Sequence, residues 1–179
     1  MMGDNFSIET IQNFVTSTAQ LTEISDISKI IKAMVNIKND ITREKHKKIK
    51  PYDIDDKTSL NQFTVNLCAK IKRHHIESYD VVDDAINCIE EVEAAIRSDL
   101  YDYYWEIYID ILNDMDIDIN DEECVKNSSD KIYSKLIRII YDQIFVGKNS
   151  DIETNKKTTY LSAITAYVFY ECKFLIPIE

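Results

Sequence analysis

Only four residues in this 179-residue chain are strong breakers of regular structure: Gly3, Gly147, Pro51 and Pro177. Ordinary chains contain about 7% glycine and about 5% proline. The tight turns that join antiparallel strands need residues that tolerate positive φ, glycine above all. A β sandwich or barrel is therefore hard to build from this sequence, whereas long helices joined by polar loops are not. Abundant isoleucine and tyrosine pull weakly the other way, because both favour strands. Apolar residues make up 45% of the chain, enough to fill a core. At this length one domain is expected. The expected fold is all-α: a single compact bundle of about six or seven helices with an apolar C-terminal helix. It occupies residues 1–179, with an exposed charged connection at about 43–58.

Apolar periodicity places the helices. Ile8, Ile11, Phe14, Val15 and Leu21 follow Ser7, a plausible N-cap. Ile24, Ile27, Ile30, Ile31, Met34, Ile37 and Ile41 recur at three- and four-residue steps, with lysines between them. The charged stretch REKHKKIKPYDIDD follows and is expected to be a connection. Ser59 and Gln62 have the spacing of a capping box, which predicts a helix starting there and lined by Leu60, Phe63, Leu67, Cys68 and Ile71. That helix is expected to end near KRHHIESYD, and another to begin around Ser78 to Asp80 with Val82, Ala85, Ile89, Val92 and Ile96 on one face. Residues 78–115 fit either one long helix or a hairpin turning at Arg97–Ser98–Asp99. Leu100, Tyr101, Tyr104, Trp105, Tyr108, Ile111, Leu112 and Met115 continue the helical pattern on one face. Ser129 is a candidate cap for a helix carrying Ile132, Tyr133, Leu136, Ile140 and Ile144, with Gly147 at its end. The last helix, from about Thr158, is apolar nearly all round. Its 19 residues from Tyr160 to Ile178 approach a membrane span, but Glu171 and Lys173 interrupt them and Pro177 ends them. A central bundle helix is the better reading, and no membrane association is expected.

Charge is distributed unevenly. Residues 1–76 hold twelve Lys/Arg against nine Asp/Glu, and residues 77–179 hold nine against twenty-three, within a net charge of −11. An acidic surface repels nucleic acid and anionic membranes and attracts basic partners. The basic stretch REKHKKIK has no interleaved aromatics, so no nucleic-acid partner is expected. Cys68, Cys88, Cys124 and Cys172 form no CxxC pair and lie in or beside apolar helical patterns. With no basic and apolar leader at MMGDNFSIET, reduced thiols and a cytoplasmic location (host cytoplasm for a viral protein) are the expectation.

The segment NDMDIDINDEE, residues 113–123, places carboxylates at alternate positions, as calcium loops do. An EF-hand also needs glycine at position 6 and glutamate at position 12. Counting from Asp114 puts Ile119 and Val125 there, and counting from Asp116 puts Asp121 and Asn127 there. Neither register closes a calcium site. The segment is instead expected to link two helices, with Ile117 and Ile119 inward and the carboxylates in water.

Chemistry is sparse elsewhere. Two glycines cannot form a GxGxxG or Walker loop. His46, His74 and His75 have neither the spacing nor the companions of a zinc site or a nucleophilic triad. No catalytic residue and no cofactor is expected. One carboxylate set has an alternative reading. Glu90, Glu91 and Glu93 precede Asp102, Glu106 and Asp110, and this faintly resembles the MazG-like all-α nucleotide pyrophosphatases, whose EExxE-type and ExxD-type clusters hold magnesium. The resemblance covers about 21 residues, and it implies Glu90, Glu91, Glu106 and Asp110 as metal ligands. The chain departs from the pattern in that Glu106 and Asp110 are four apart rather than three.

Tyr101, Tyr103, Tyr104, Trp105 and Tyr108 form the densest aromatic cluster. Tyrosine and tryptophan favour interfaces because they bury area cheaply and keep a polar tip. The leading functional expectation is a non-catalytic protein that inhibits or protects by occluding another protein, an immunity or host-modulating factor. Its partner is a protein with a basic surface, and a homodimer is compatible with the sequence. The residues expected at the interface are Tyr103, Trp105, Asp116, Asp118 and Glu122. The Ile/Asp/Asn/Tyr/Lys-rich composition looks like that of small helical proteins from AT-rich viral genomes, among them the poxviral Bcl-like bundles that block apoptosis or innate signalling. The chain departs from those in having no NWGR-like motif. A structural or assembly subunit of a virus or phage is the third expectation.

Overall fold

Helix accounts for every regular element in the computed structural model, which describes residues 25–39, 51–146, 153–171 and 173–177. Among these residues there are six helices and no strand: α1 (Asp26–Asn39), α2 (Pro51–Leu60), α3 (Val65–Glu90), α4 (Ile96–Asp114), α5 (Glu122–Phe145) and α6 (Thr154–Tyr170). The expected helix after Ser7 and the basic stretch 43–50 lie outside the described residues. The fold is all-α, as the scarcity of glycine and proline requires. The chain divides into two compact units, one of residues 1–48 and 80–100, the other of residues 49–79 and 101–179. The divisions between Tyr79 and Asp80 and between Leu100 and Tyr101 fall inside α3 and α4, so no linker marks them in the sequence.

In the first unit α1 buries Ile27, Ile30, Ile31, Met34 and Ile37, which is the predicted stripe. Ser25 starts the helix, its Oγ accepting from the Ser28 backbone N–H at 3.3 Å. The end of α3 contributes Val82, Ala85, Ile86 and Ile89 to the buried set, and the start of α4 adds Ile96 and Leu100. The reversal between α3 and α4 lies at residues 91–95, earlier than the Arg97–Ser98–Asp99 turn that the hairpin alternative required. Arg97 explains why. Its guanidinium reaches back along α3 to Asp83 (3.0 Å), Asn87 (2.6 Å) and both oxygens of Glu90 (3.1 Å each). Lys29 of α1 holds the turn from another side, donating to both carboxylate oxygens of Glu93 at 2.8 and 2.9 Å. Two cations thus fix a turn that has no glycine.

In the second unit three expected boundaries move. Residues 51–60 are a helix rather than an exposed connection, and Ile54, Lys57 and Thr58 are buried. Pro51 opens this helix, where its missing N–H costs nothing. Inside, the Lys57 ammonium lies 4.6 Å from the centre of the Phe169 ring. The Ser59–Gln62 capping box does not form. Gln62 has φ 53° and its N–H donates to the Ser59 carbonyl, so this pair closes α2 instead of opening α3. α3 starts at Val65 and runs unbroken through HHIESYD, where the sequence suggested an end. His75 and Ser78 are buried there, and the His75 ring packs on Tyr79 and Tyr170. A polar run is no helix breaker when one face of it has rings to meet.

The aromatic interior of this unit centres on Phe174, whose ring lies 5.7–6.3 Å from those of Tyr104, Tyr108, Tyr133 and Phe169. The Tyr104 hydroxyl bonds Thr165 at 2.9 Å, and Thr165 donates onward to the Leu161 carbonyl. In α6 every residue from Tyr160 to Phe169 is buried. The helix begins four residues before the expected Thr158, in the polar turn Thr154–Lys157. Beyond it, fully buried Asn61 grips the Ile176 backbone with two bonds, donating to its carbonyl (3.0 Å) and accepting from its N–H (2.9 Å). No helix among the described residues is long and apolar enough to cross a membrane.

Candidate functional site on the outer face of α4

At 3.6 residues per turn, one side of α4 faces inward with Tyr104, Ile107, Tyr108, Ile111 and Leu112, all buried. The opposite side carries Asp102 and Glu106, and Asp110 and Asp114 continue from them round the flank toward the helix end, all four exposed. Their spacing of four makes one row along the helix, with successive carboxylates about 6 Å apart along the axis. Trp105 and half-buried Ile109 form a second, apolar line beside the row. Trp105 is 43% exposed, and its ring rests on Tyr108 at 5.7 Å between centroids. A large aromatic ring left in water beside a row of charge is uncommon, because burial of such a ring is worth several kcal/mol elsewhere.

The row is also costly to its own helix. Like charges at i,i+4 each destabilise a helix by roughly 0.2–0.5 kcal/mol. Asp110 and Asp114 add to this by sitting at the negative end of the helix dipole. Few cations relieve the charge. The helix's only Lys or Arg is Arg97, which is bound to Asp83, Asn87 and Glu90. Lys135 of α5 approaches Asp114 at 3.4 Å. Among the described residues no Lys or Arg pairs with Asp102, Glu106 or Asp110.

The residues expected at an interface have different fates. Trp105 stands on the outer face, although its spacing groups it with Tyr101 and the inward-facing Tyr104 and Tyr108. Tyr103 does not, being half-buried with its hydroxyl donating to Gln143 of α5. Burial pushes that phenol's pKa above the usual range. Asp116, Asp118 and Glu122 are exposed, but each also does local structural work. Asp116 takes the left-handed turn after α4, at φ 55°. Asp118 accepts from the Asn120 backbone N–H at 2.8 Å, and Glu122 pairs with Lys126 at 3.1 Å. The cap of α5 is Asp121, whose carboxylate accepts from the Cys124 N–H at 3.0 Å. Ser129, the expected cap, lies buried inside the helix with its hydroxyl on the Val125 carbonyl. Ile119 points outward instead of inward and is 38% exposed.

The carboxylates of the alternative metal reading belong to different units, Glu90 and Glu91 to the first and Glu106 and Asp110 to the second. Glu90 is held by Arg97, while Glu91, Glu106 and Asp110 are exposed. Among the described residues no group of three or more His, Cys, Asp or Glu side chains is placed to hold a metal ion. Asp102, Glu106 and Asp110 stand together in the sequence, but the metal reading takes Glu106 and Asp110 as ligands rather than all three as one row. The signal that would have found the row was its strict i,i+4 spacing on the side of α4 opposite the apolar stripe. No family model matches the chain, and neither does any curated protein or solved structure.

Proposed function

We propose that this protein works by binding another protein and covering a surface that the partner needs, as an inhibitor or an immunity or host-modulating factor does, without catalysis of its own. The observation that carries this reading is Trp105, a half-exposed indole bordered by carboxylates that no cation of the described chain neutralises. Interface hot spots are enriched in tryptophan, and they sit inside a rim of polar groups that gains from a complementary charge. The partner surface that fits is basic, with an apolar recess for the indole. The most prominent acidic side chains in the other candidate sites already have structural tasks, as with Glu90 on Arg97 and Glu122 on Lys126.

The experiment compares wild-type protein and Trp105→Ala as baits in the same lysates. A partner held by the wild type and lost with Trp105→Ala, at unchanged helix content by circular dichroism, supports the reading. The purified partner should then lose its own binding activity when titrated with the wild-type protein. Capture that is indifferent to Trp105→Ala would remove α4 from the interface and the reading with it.

A further inference from the structure

Resting on that reading, we infer that the occupant of the outer face of α4 is a cationic amphipathic helix of the partner. Two features of the face name this class. The first is the row Asp102, Glu106, Asp110, which sets negative charge at every fourth residue. Lysines or arginines at i, i+4 and i+8 of a second helix repeat with the same pitch of about 6 Å, so three charge pairs form without bending either helix. The second is the apolar line of Trp105 and Ile109, parallel to the row and itself spaced by four. A helix that is basic along one line and apolar along the next presents both features at once, and helices recognised by their i, i+3, i+4 and i+7 positions are a recurring mode of peptide binding. Arginine suits the position next to Trp105, because its guanidinium also stacks on an indole face. Asp114 lies at the end of the row, where Lys135 takes part of its charge, so the matched stretch is the one from Asp102 to Asp110.

The chain supplies its own reporter. Trp105 is the only tryptophan, so emission excited selectively at tryptophan, apart from the eleven tyrosines, reads this face. The probes are a synthetic helical peptide of about 18 residues, with arginines at i, i+4 and i+8 and leucines on the adjoining line, and a scrambled peptide of equal composition. With the full chain, the ordered peptide should shift tryptophan emission to the blue and protect it from acrylamide. Its affinity should fall about tenfold between roughly 50 and 300 mM salt, and by a similar factor with Glu106→Lys. Asp102→Asn and Asp110→Asn should each weaken it less. Equal binding of ordered and scrambled peptides would overturn the helix and leave only general attraction for polycations. An indole that stays fully accessible to acrylamide with the ordered peptide present would overturn the inference as well. If either happens while lysate capture still depends on Trp105, the inference falls and the protein-binding reading stands. If capture ignores Trp105, the reading itself falls.

Discussion

Single side chains decide where this chain turns and stops, and Asn61 does so with two hydrogen bonds. It is fully buried and spends both halves of its amide on the Ile176 backbone, with a further bond from its nitrogen to the Lys57 carbonyl. Asparagine can serve a backbone N–H and a carbonyl at once, as a neighbouring strand would. Truncation leaves both Ile176 groups without this partner, and each lost bond to a partly buried group costs about 1 kcal/mol or more. Asn61→Ala should therefore destabilise the protein by about 2–3 kcal/mol in urea unfolding. Amide exchange should quicken first at residues 174–176, ahead of the middle of α6. Uniform protection in the variant would show that Phe174 and Leu175, not Asn61, hold this segment. Little of this was legible beforehand. Asn61 sits in a polar run, and its partner is 115 residues away. Arg97 is similar: its type was visible, but its choice of Asp83, Asn87 and Glu90 depends on a turn whose position the sequence left open.

At the level of elements, legibility follows periodicity. α1 and the inner face of α4 were visible because their apolar spacing is regular and uninterrupted. α2 was missed because its ten residues carry four charges, three acidic and one basic, and too few apolar positions to show a period. The Ser59–Gln62 capping box misled because its spacing says nothing of the left-handed backbone at Gln62 that ends α2. The outer face of α4 offers a sharper test of function than of fold. Replacing Glu106 by lysine turns two repulsive i,i+4 pairs, with Asp102 and Asp110, into attractive ones. On an exposed helix face that exchange should stabilise the protein by about 1 kcal/mol. Stability gained at the expense of binding is the usual mark of a surface kept for function. Glu106→Lys should thus raise the urea midpoint while losing the partner that the wild type captures. A variant that is more stable and binds as before would mean that the row is only a solvated face.

Across the whole molecule both units should lose stability in alkali, each through different groups. The second unit holds Tyr104 and Tyr133, both fully buried, whose hydroxyls are pushed well above the ordinary phenol range of about 10 by burial. Burial likewise raises Tyr108, to about 12, and shifts Tyr103 in the same direction. A phenol whose pKa is raised by folding keeps its proton in the native state after the unfolded chain has lost it. Between those two values the native state binds more protons, so stability falls as pH rises. The contribution is intact below pH about 10 and disappears progressively above it, through about 12 for Tyr108. In the first unit Lys29 acts in the same direction. Burial disfavours its ammonium, but the bonds to Glu93 and Asp26 outweigh this and raise its pKa, so that bridge is also complete below about 10.5 and fails above it. Alkaline titration should consequently leave Tyr103, Tyr104, Tyr108 and Tyr133 protonated past pH about 10, with helix content unchanged. A later, cooperative rise in tyrosinate absorbance should coincide with loss of the far-ultraviolet helix signal. Tyr108→Phe should move that transition to higher pH, since it removes one of the groups whose ionisation drives it. If all eleven tyrosines ionised in one step near pH 10 while the helices persisted, the aromatic interior around Phe174 would have to be open to water. The aromatic packing that defines the second unit would then be wrong.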